Sequence, residues 1–483
     1  MPGRGEEVAP VARAGRTVGI TALVLVLAGG GYLTADAYDV APGFLTLAPE
    51  PDPAAPFPTA PGAQDATAGT GVLADLDPAA PIPSSEVLAA QVSGLTTDPR
   101  LGPTVGVLVA DALTGEVLAQ NNPDQGRTPA STQKLVTAVA ALTDLGPDTT
   151  FDTTVVQGGA ADQIVLVGGG DMMLAAGEGD PDAVNGRAGL ADLAAATAEQ
   201  LRLAGVGTVT LGLDDTLFTG DALAPGWDPA DVGAGYAAPV AALAVNIAKL
   251  TDDEYAQRQT DPAMSAAGEF ARRLAEQGIT VQGNPSRVQS GYTAGDTLAT
   301  VSSAPVSEVT GYFLDHSDNT ITEVVSRMVA VHRGFPASFE GATQAVLQSV
   351  RALGVDITGA VLTDASGLAE GSSLSPALLL DLLQLIVDPA HPELRSVGTG
   401  MPIAGLTGTL SDRFTSGAGT GVVRAKTGSL KGVTSLAGLV LDADGRMLLY
   451  VVMADQTGEG GQWGPRQAID GFVTGLAGCG CQG

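Results

Sequence analysis

Thr128-Pro129-Ala130-Ser131-Thr132-Gln133-Lys134-Leu135-Val136-Thr137-Ala138-Val139-Ala140 reads as a loop that runs into an apolar helix with a serine at its mouth. Ser131 and Lys134 stand three residues apart, and on a helix that spacing sets two side chains on one face, about 5–6 Å from each other. The lysine amine then reaches the serine hydroxyl. A serine hydroxyl attacks poorly unless a neighbouring base takes its proton. Lysine is such a base only where burial and a nearby cation lower its pKa enough to free the amine. The mostly apolar run from Leu135 to Leu142 supplies the burial. A serine ahead of a solvated lysine is also an ordinary helix cap, so the pair alone decides nothing.

Two later stretches decide it. Ser317-Asp318-Asn319 and Lys426-Thr427-Gly428 follow in that order, completing the S-x-x-K, S-D-N and K-T-G set of penicillin-binding proteins and serine β-lactamases. The whole chain has four lysines, Lys134, Lys249, Lys426 and Lys431. Two of the four fall inside these motifs, which argues against coincidence. The Ser317-Asp318-Asn319 stretch has a plain structural reading as well, since Ser, Asp and Asn are common turn and cap residues.

The 483 residues allow about three domains or one domain with insertions, and the formal charge of −30 argues against nucleic acid or another anionic polymer as a partner. Arg4, Arg13 and Arg16 precede an apolar run from Val18 to Ala35 that ends in Ala35-Asp36-Ala37, the layout of a secretory leader. The run is also long enough for one membrane anchor. Either places the body on the extracytoplasmic side, in the cell envelope. Residues 1–45 are assigned to this segment and 46–83, rich in Pro and Ala, to an extended spacer. Cys479 and Cys481 lie two apart in a Gly-rich tail, with no zinc-type spacing around them. Neither metal nor cofactor is called for.

In the body, Ser84–Val92 reads as a helix, and Thr104–Asp111 with Glu116–Gln120 as a hairpin ahead of Ser131. Strand-like runs Phe151–Val156 and Gln163–Val167 lead to Gly168-Gly169-Gly170-Asp171, where no G-K-[ST] follows to make a phosphate loop. Gly189–Leu203 and Met264–Gln277 read as helices, Thr208–Leu213 and Ile279–Val281 as strands. This separate mixture predicts an inserted domain over 151–296, dividing a catalytic domain of 84–150 and 297–478. Val306–Leu314 and Thr320–His332 read as helices flanking the Ser317 turn. Gly421–Lys426, Val433–Leu441 and Met447–Ala454 alternate as strands, with Asp442-Ala443-Asp444-Gly445 as a hairpin turn and a last helix at Pro465–Leu476. The fold class is therefore α+β, an antiparallel sheet flanked by helices.

With the three motifs in hand, the chain resembles the class C low-molecular-mass penicillin-binding proteins, the D-alanyl-D-alanine carboxypeptidase/endopeptidase family of SxxK serine acyltransferases. Leu166–Asp171, Asp364-Ala365-Ser366-Gly367-Leu368 and Ala404–Leu410 are similar to further stretches of that family, as is the long insertion. The resemblance implies a penicillin-binding, β-lactamase-like fold and a penicillin-sensitive peptidase that works through an acyl-enzyme on peptidoglycan stem peptides, with β-lactams as covalent inhibitors. It implies Ser131 as nucleophile, Lys134 as its base, Ser317 as proton relay and Asn319 as holder of Lys134 and the substrate amide. Lys426 and Thr427 would engage the terminal carboxylate, and the Ser131 and Ser429 N–H groups would form the oxyanion hole beside Gly428. Asp171 would touch substrate, although Met172 follows it where the family often has Pro. A β-lactamase, an esterase on the same scaffold and a noncatalytic peptidoglycan-binding protein are the alternatives. A Ser-His-Asp hydrolase is disfavoured, because His316, His332 and His391 have no G-x-S-x-G companion.

Overall fold

The computed structural model describes residues 30–35, 38, 40, 76–289, 294–458 and 460–480. The chain divides into two units, Met1–Ala74 and Asp75–Gly483. Of the first, the described part is a helical stretch at 30–35 with positions 38 and 40; most of the leader and spacer assignments lie outside the described residues. Among the described residues, no helix is long and apolar enough to cross a membrane.

In chain order the strands of the second unit are β1 (Val105–Asp111), β2 (Val117–Asn121), β3 (Asp152–Gln157), β4 (Gln163–Val167), β5 (Asp171–Leu174), β6 (Thr208–Asp214), β7 (Leu243–Val245), β8 (Thr280–Val281), β9 (Ser286–Arg287), β10 (Thr297–Ser302), β11 (Val423–Leu430), β12 (Val433–Leu441) and β13 (Met447–Ala454). The principal helices are α1 (Ser85–Thr96), α2 (Lys134–Asp144), α3 (Leu190–Leu203), α4 (Pro262–Glu276), α5 (Val306–Asp315), α6 (Asn319–Arg333), α7 (Phe339–Ala352), α8 (Pro376–Val387) and α9 (Trp463–Ala477).

One layer of the second unit is a five-stranded antiparallel sheet in the order β11-β12-β13-β1-β2. Successive side chains of a strand face opposite sides of a sheet, and here both sides are covered. Leu448, Tyr450 and Val452 of β13 join α1 and α9 in one apolar cluster; Leu449, Val451 and Met453 join α2, α5, α6, α7 and α8 in another. This double burial explains why β1 is buried at every position. At its end, Asp111 makes a buried two-pronged pair with Arg446, 2.6 Å on each arm, which ties the β12–β13 turn to β1.

Local chemistry sets the helix starts. Asp318 caps α6, its Oδ1 accepting the Ile321 N–H at 2.8 Å, and α6 stops at Gly334 with φ +73°. Ser375 caps α8 ahead of Pro376, a residue suited to the first helical position.

The second sheet runs β10-β3-β4-β6-β8, with β9 also on β6. Its β4–β6 and β6–β8 pairs are parallel, and α3 and α4 bury Leu193, Leu201, Phe270 and Leu274 against it. The sheet is completed by β10, which lies past the boundary expected at Asp296. Nor is the intervening chain confined to this layer: Trp227, Ala237, Ala238 and Ile247 belong to the same apolar cluster as α2 and α6.

Candidate active site

Ser131 lies in a 3-10 turn, Ala130–Gln133, that leads into α2 at Lys134. Lys134 is fully buried, and its Nζ has three neighbours: Ser131 Oγ at 3.0 Å, Asn319 Oδ1 at 2.7 Å and the Ser366 carbonyl at 2.8 Å. The last two are acceptors only, so they claim two N–H groups. The third direction points at Ser131. A neutral amine held this way aims its lone pair at the serine hydroxyl. The orientation of the Asn319 amide is fixed on its other side, where Nδ2 donates to the Tyr236 carbonyl at 2.9 Å.

Burial pushes the Lys134 amine down from 10.5 to about 8, against the opposing charges of Asp364, Glu323 and Asp318. A nearby cation lowers an amine's pKa as well. That effect is felt on the other lysine: Lys426 is held well below its usual value by burial and then by the charge of Lys134.

Ser317 stands between α5 and α6 with φ +56°, a left-handed conformation that costs a non-glycine residue on the order of 1–3 kcal/mol. It directs Oγ at Lys426, whose Nζ donates to it at 2.9 Å and to the Thr427 carbonyl at 3.1 Å. The K-T-G motif was expected at the end of its strand. Instead β11 continues through it to Leu430, so Lys426, Thr427, Gly428 and Ser429 lie along the edge strand. Gly428 is required by contact rather than by turning: a Cβ there would stand 2.6 Å from the Pro129 carbonyl and 3.1 Å from the Thr132 nitrogen. The Ser131 turn therefore crosses directly over β11. Ser435 clamps the crossing, donating to the Pro129 carbonyl at 2.7 Å. Along the strand, Thr427 Oγ1 is 2.9 Å from Thr409 Oγ1, and Arg466 of α9 donates to Ser429 Oγ at 3.1 Å.

Asp171 has other company. It is buried on β5 with its carboxylate accepting the Met173 N–H at 2.7 Å, and burial raises its pKa to about 7. No described hydrogen bond joins it to the other named site residues.

Several participants escaped the sequence argument. Asp364 accepts from the N–H groups of Gly367 and Ala369, at 2.7 and 2.8 Å, and from the Trp227 indole at 2.9 Å. Gln133 Nε2 reaches the Asp364 carbonyl at 2.5 Å. Gly367, with φ +77°, lets this turn lie against the Ala130 carbonyl, which a Cβ would meet at 2.1 Å. The 364–368 stretch carried a family likeness but no assigned role, while nothing marked Tyr236 or Trp227, both inside the expected insertion. The insertion therefore touches the machinery through a backbone carbonyl and an indole N–H.

A half-buried serine against a buried lysine at a helix mouth, facing a Ser-Asp-Asn turn and a Lys-Thr-Gly edge strand, defines a serine acyl enzyme of the penicillin-binding class. Comparison with known proteins gives the family. The chain matches the D-Ala-D-Ala carboxypeptidase 3 (S13) family over residues 88–260 and 248–476 and belongs to it. It is 36% identical to carboxypeptidase DacB of Mycolicibacterium smegmatis, over 96% of this chain and 97% of that one. It is 35% identical to a carboxypeptidase of Mycobacterium tuberculosis, over 87% and 90%. The fold is similar to that of penicillin binding protein 4 from Haemophilus influenzae, with a TM-score of 0.66 and 23% identity over 80% of this chain and 99% of that one.

Proposed function

We propose that this protein is a penicillin-sensitive serine D-Ala-D-Ala carboxypeptidase of peptidoglycan stem peptides in which Ser131 forms the acyl-enzyme and Lys134 is its base. The observation that carries the reading is the 3.0 Å approach of the buried Lys134 Nζ to Ser131 Oγ, with its other two directions taken by Asn319 and Ser366. Attack of Oγ on the penultimate carbonyl passes the hydroxyl proton to the amine. The oxyanion is received by the Ser131 and Ser429 N–H groups, donors whose individual removal costs about 2.7–4 kcal/mol in a comparable hole. Ser317, whose oxygen accepts from Lys426, keeps its own proton for the leaving amine, and D-alanine departs. The proton that Lys134 took replaces the one Ser317 gave up, which leaves Lys134 neutral again; Lys134 then takes a proton from the attacking water and returns it to Ser131 Oγ as the ester opens. Lys426 and Thr427 hold the terminal carboxylate, while Asp171, buried on β5 and bonded to the Met173 N–H, is left out of substrate binding.

The leader's charge and apolar pattern supports action in the cell envelope, outside the cytoplasmic membrane. Incubation of the purified protein with monomeric and cross-linked muropeptides tests the reading. Release of free D-alanine from a pentapeptide stem, abolished in Ser131→Ala, is expected; release that survives the substitution would overturn it. Separation of cross-linked stems in the same assay would add endopeptidase action at the same serine.

A further inference from the structure

α6 carries Asn319, which bonds Lys134 directly, and four residues later, on the same helical face, a second polar side chain. This is Glu323, fully buried. Its carboxylate makes no contact with Lys134. It accepts the Ala365 N–H, at 3.0 and 3.1 Å from its two oxygens, and the Ser366 N–H at 2.8 Å. Ser366 is the residue whose carbonyl receives Lys134 Nζ. Asp364 holds the following N–H, that of Gly367, so two buried carboxylates fix the turn that presents the carbonyl.

We propose that Glu323 is a positioning residue for Lys134, holding the Ser366 carbonyl against the amine and supplying a buried negative charge that keeps the amine basic. The inference rests on the reading of Lys134 as the base. Its physical ground is that the charge is unnecessary for the turn. A glutamine would offer its carbonyl oxygen to the same two N–H groups, whereas burying a carboxylate costs several kcal/mol. The charge must then matter to something facing it. Around Lys134 the charged groups are Asp364, Glu323 and Asp318, with Lys426 on the strand side. Around Glu323 they are Asp364 and Arg327, one helical turn on. Burial and the Asp364 charge raise Glu323 itself to about 8, and the opposing bonds from the Ala365 and Ser366 N–H groups must keep it ionised where Lys134 titrates for the proposal to hold. An anion at this position opposes the burial that makes Lys134 a weaker base, and a more basic amine takes the Ser131 proton more readily.

The sign of the test follows. Below its pKa Lys134 is an ammonium and cannot accept the proton, so acylation by penicillin falls on the acid side. Removing the Glu323 charge makes the ammonium less stable. In Glu323→Gln the acid limb should move to lower pH by on the order of one unit, with a lower plateau, while thermal unfolding stays near the wild type. Glu323→Asp keeps the charge on a shorter arm; its limb should stay in place and its plateau fall. A Glu323→Gln limb at the wild-type pH would overturn the proposal. Absence of any wild-type limb, or acylation at another serine, would instead fail the underlying reading. Should Glu323→Gln not fold, the wild-type Ala365 and Ser366 amide resonances answer the same question. Their carboxylate-bonded shifts should persist over the pH range in which Ser131 acylates, and loss of those shifts before that range begins would overturn the proposal.

Discussion

Ser131 and Lys134 meet because one short turn ends and a helix begins between them, and the proposed role of Lys134 as base rests on the burial of the helix it starts. With its amine lowered to about 8, acylation of the wild type should rise with pH up to that value and level off above it. Lys134→Arg keeps a cation but cannot readily give up a proton. Stopped-flow acylation of that variant should be slower by orders of magnitude across the whole range, with the fold intact by circular dichroism; near-normal rates would point to another base. Lys426 makes a separable claim. A charge-assisted hydrogen bond contributes roughly 1.5–3 kcal/mol, so Lys426→Met should lose on the order of 10–150-fold in kcat/KM. If it reads the substrate carboxylate, amidation of that carboxylate should cost the wild type heavily and Lys426→Met little further. Full additivity of the two changes would assign Lys426 to tuning Lys134 instead.

The elements carry their own constraints. Gly428 lies where the Ser131 turn crosses β11, and a methyl group there would press on the Pro129 carbonyl and the Thr132 nitrogen. Misplacement of a reacting group by about 1 Å costs roughly 100-fold. Gly428→Ala should therefore slow acylation by about that factor with a smaller change in Tm; wild-type rates would show that the crossing has room. The Asp111–Arg446 pair belongs to stability alone. Arg446→Met leaves a buried carboxylate unpaired, for which about 3–5 kcal/mol of destabilisation is expected, read by urea unfolding with unchanged acylation in the folded fraction. Sequence periodicity was a good guide where strands are long and alternate, as in β12, β13 and the β1–β2 hairpin, and where helices are amphipathic. It fell short at β11, where the alternation ends at Lys426 but the strand runs on through Gly428, a contact requirement, to Leu430. It was silent at β5, β7 and β9, each two to four residues long, where too few side chains alternate to make a pattern.

At the scale of the molecule, the helices around the five-stranded sheet and the chain between the first two motifs share an apolar cluster. The motif residues could be named in advance because their chemistry is written in their types and order. Glu323, Tyr236, Trp227 and Arg466 could not, because their meaning depends on which backbone groups the fold brings to them. Trp227 tests the coupling between the two parts: its indole N–H is one of the donors to Asp364, and Trp227→Phe should lower both Tm and the acylation rate, a Tm loss alone reducing it to packing. The most direct test of the whole account is mass spectrometry of the protein after brief exposure to penicillin. A single adduct of intact penicillin mass on the peptide containing Ser131, absent from Ser131→Ala, is the expected result. An adduct elsewhere, or one that persists in Ser131→Ala, would contradict the assignment on which the rest depends.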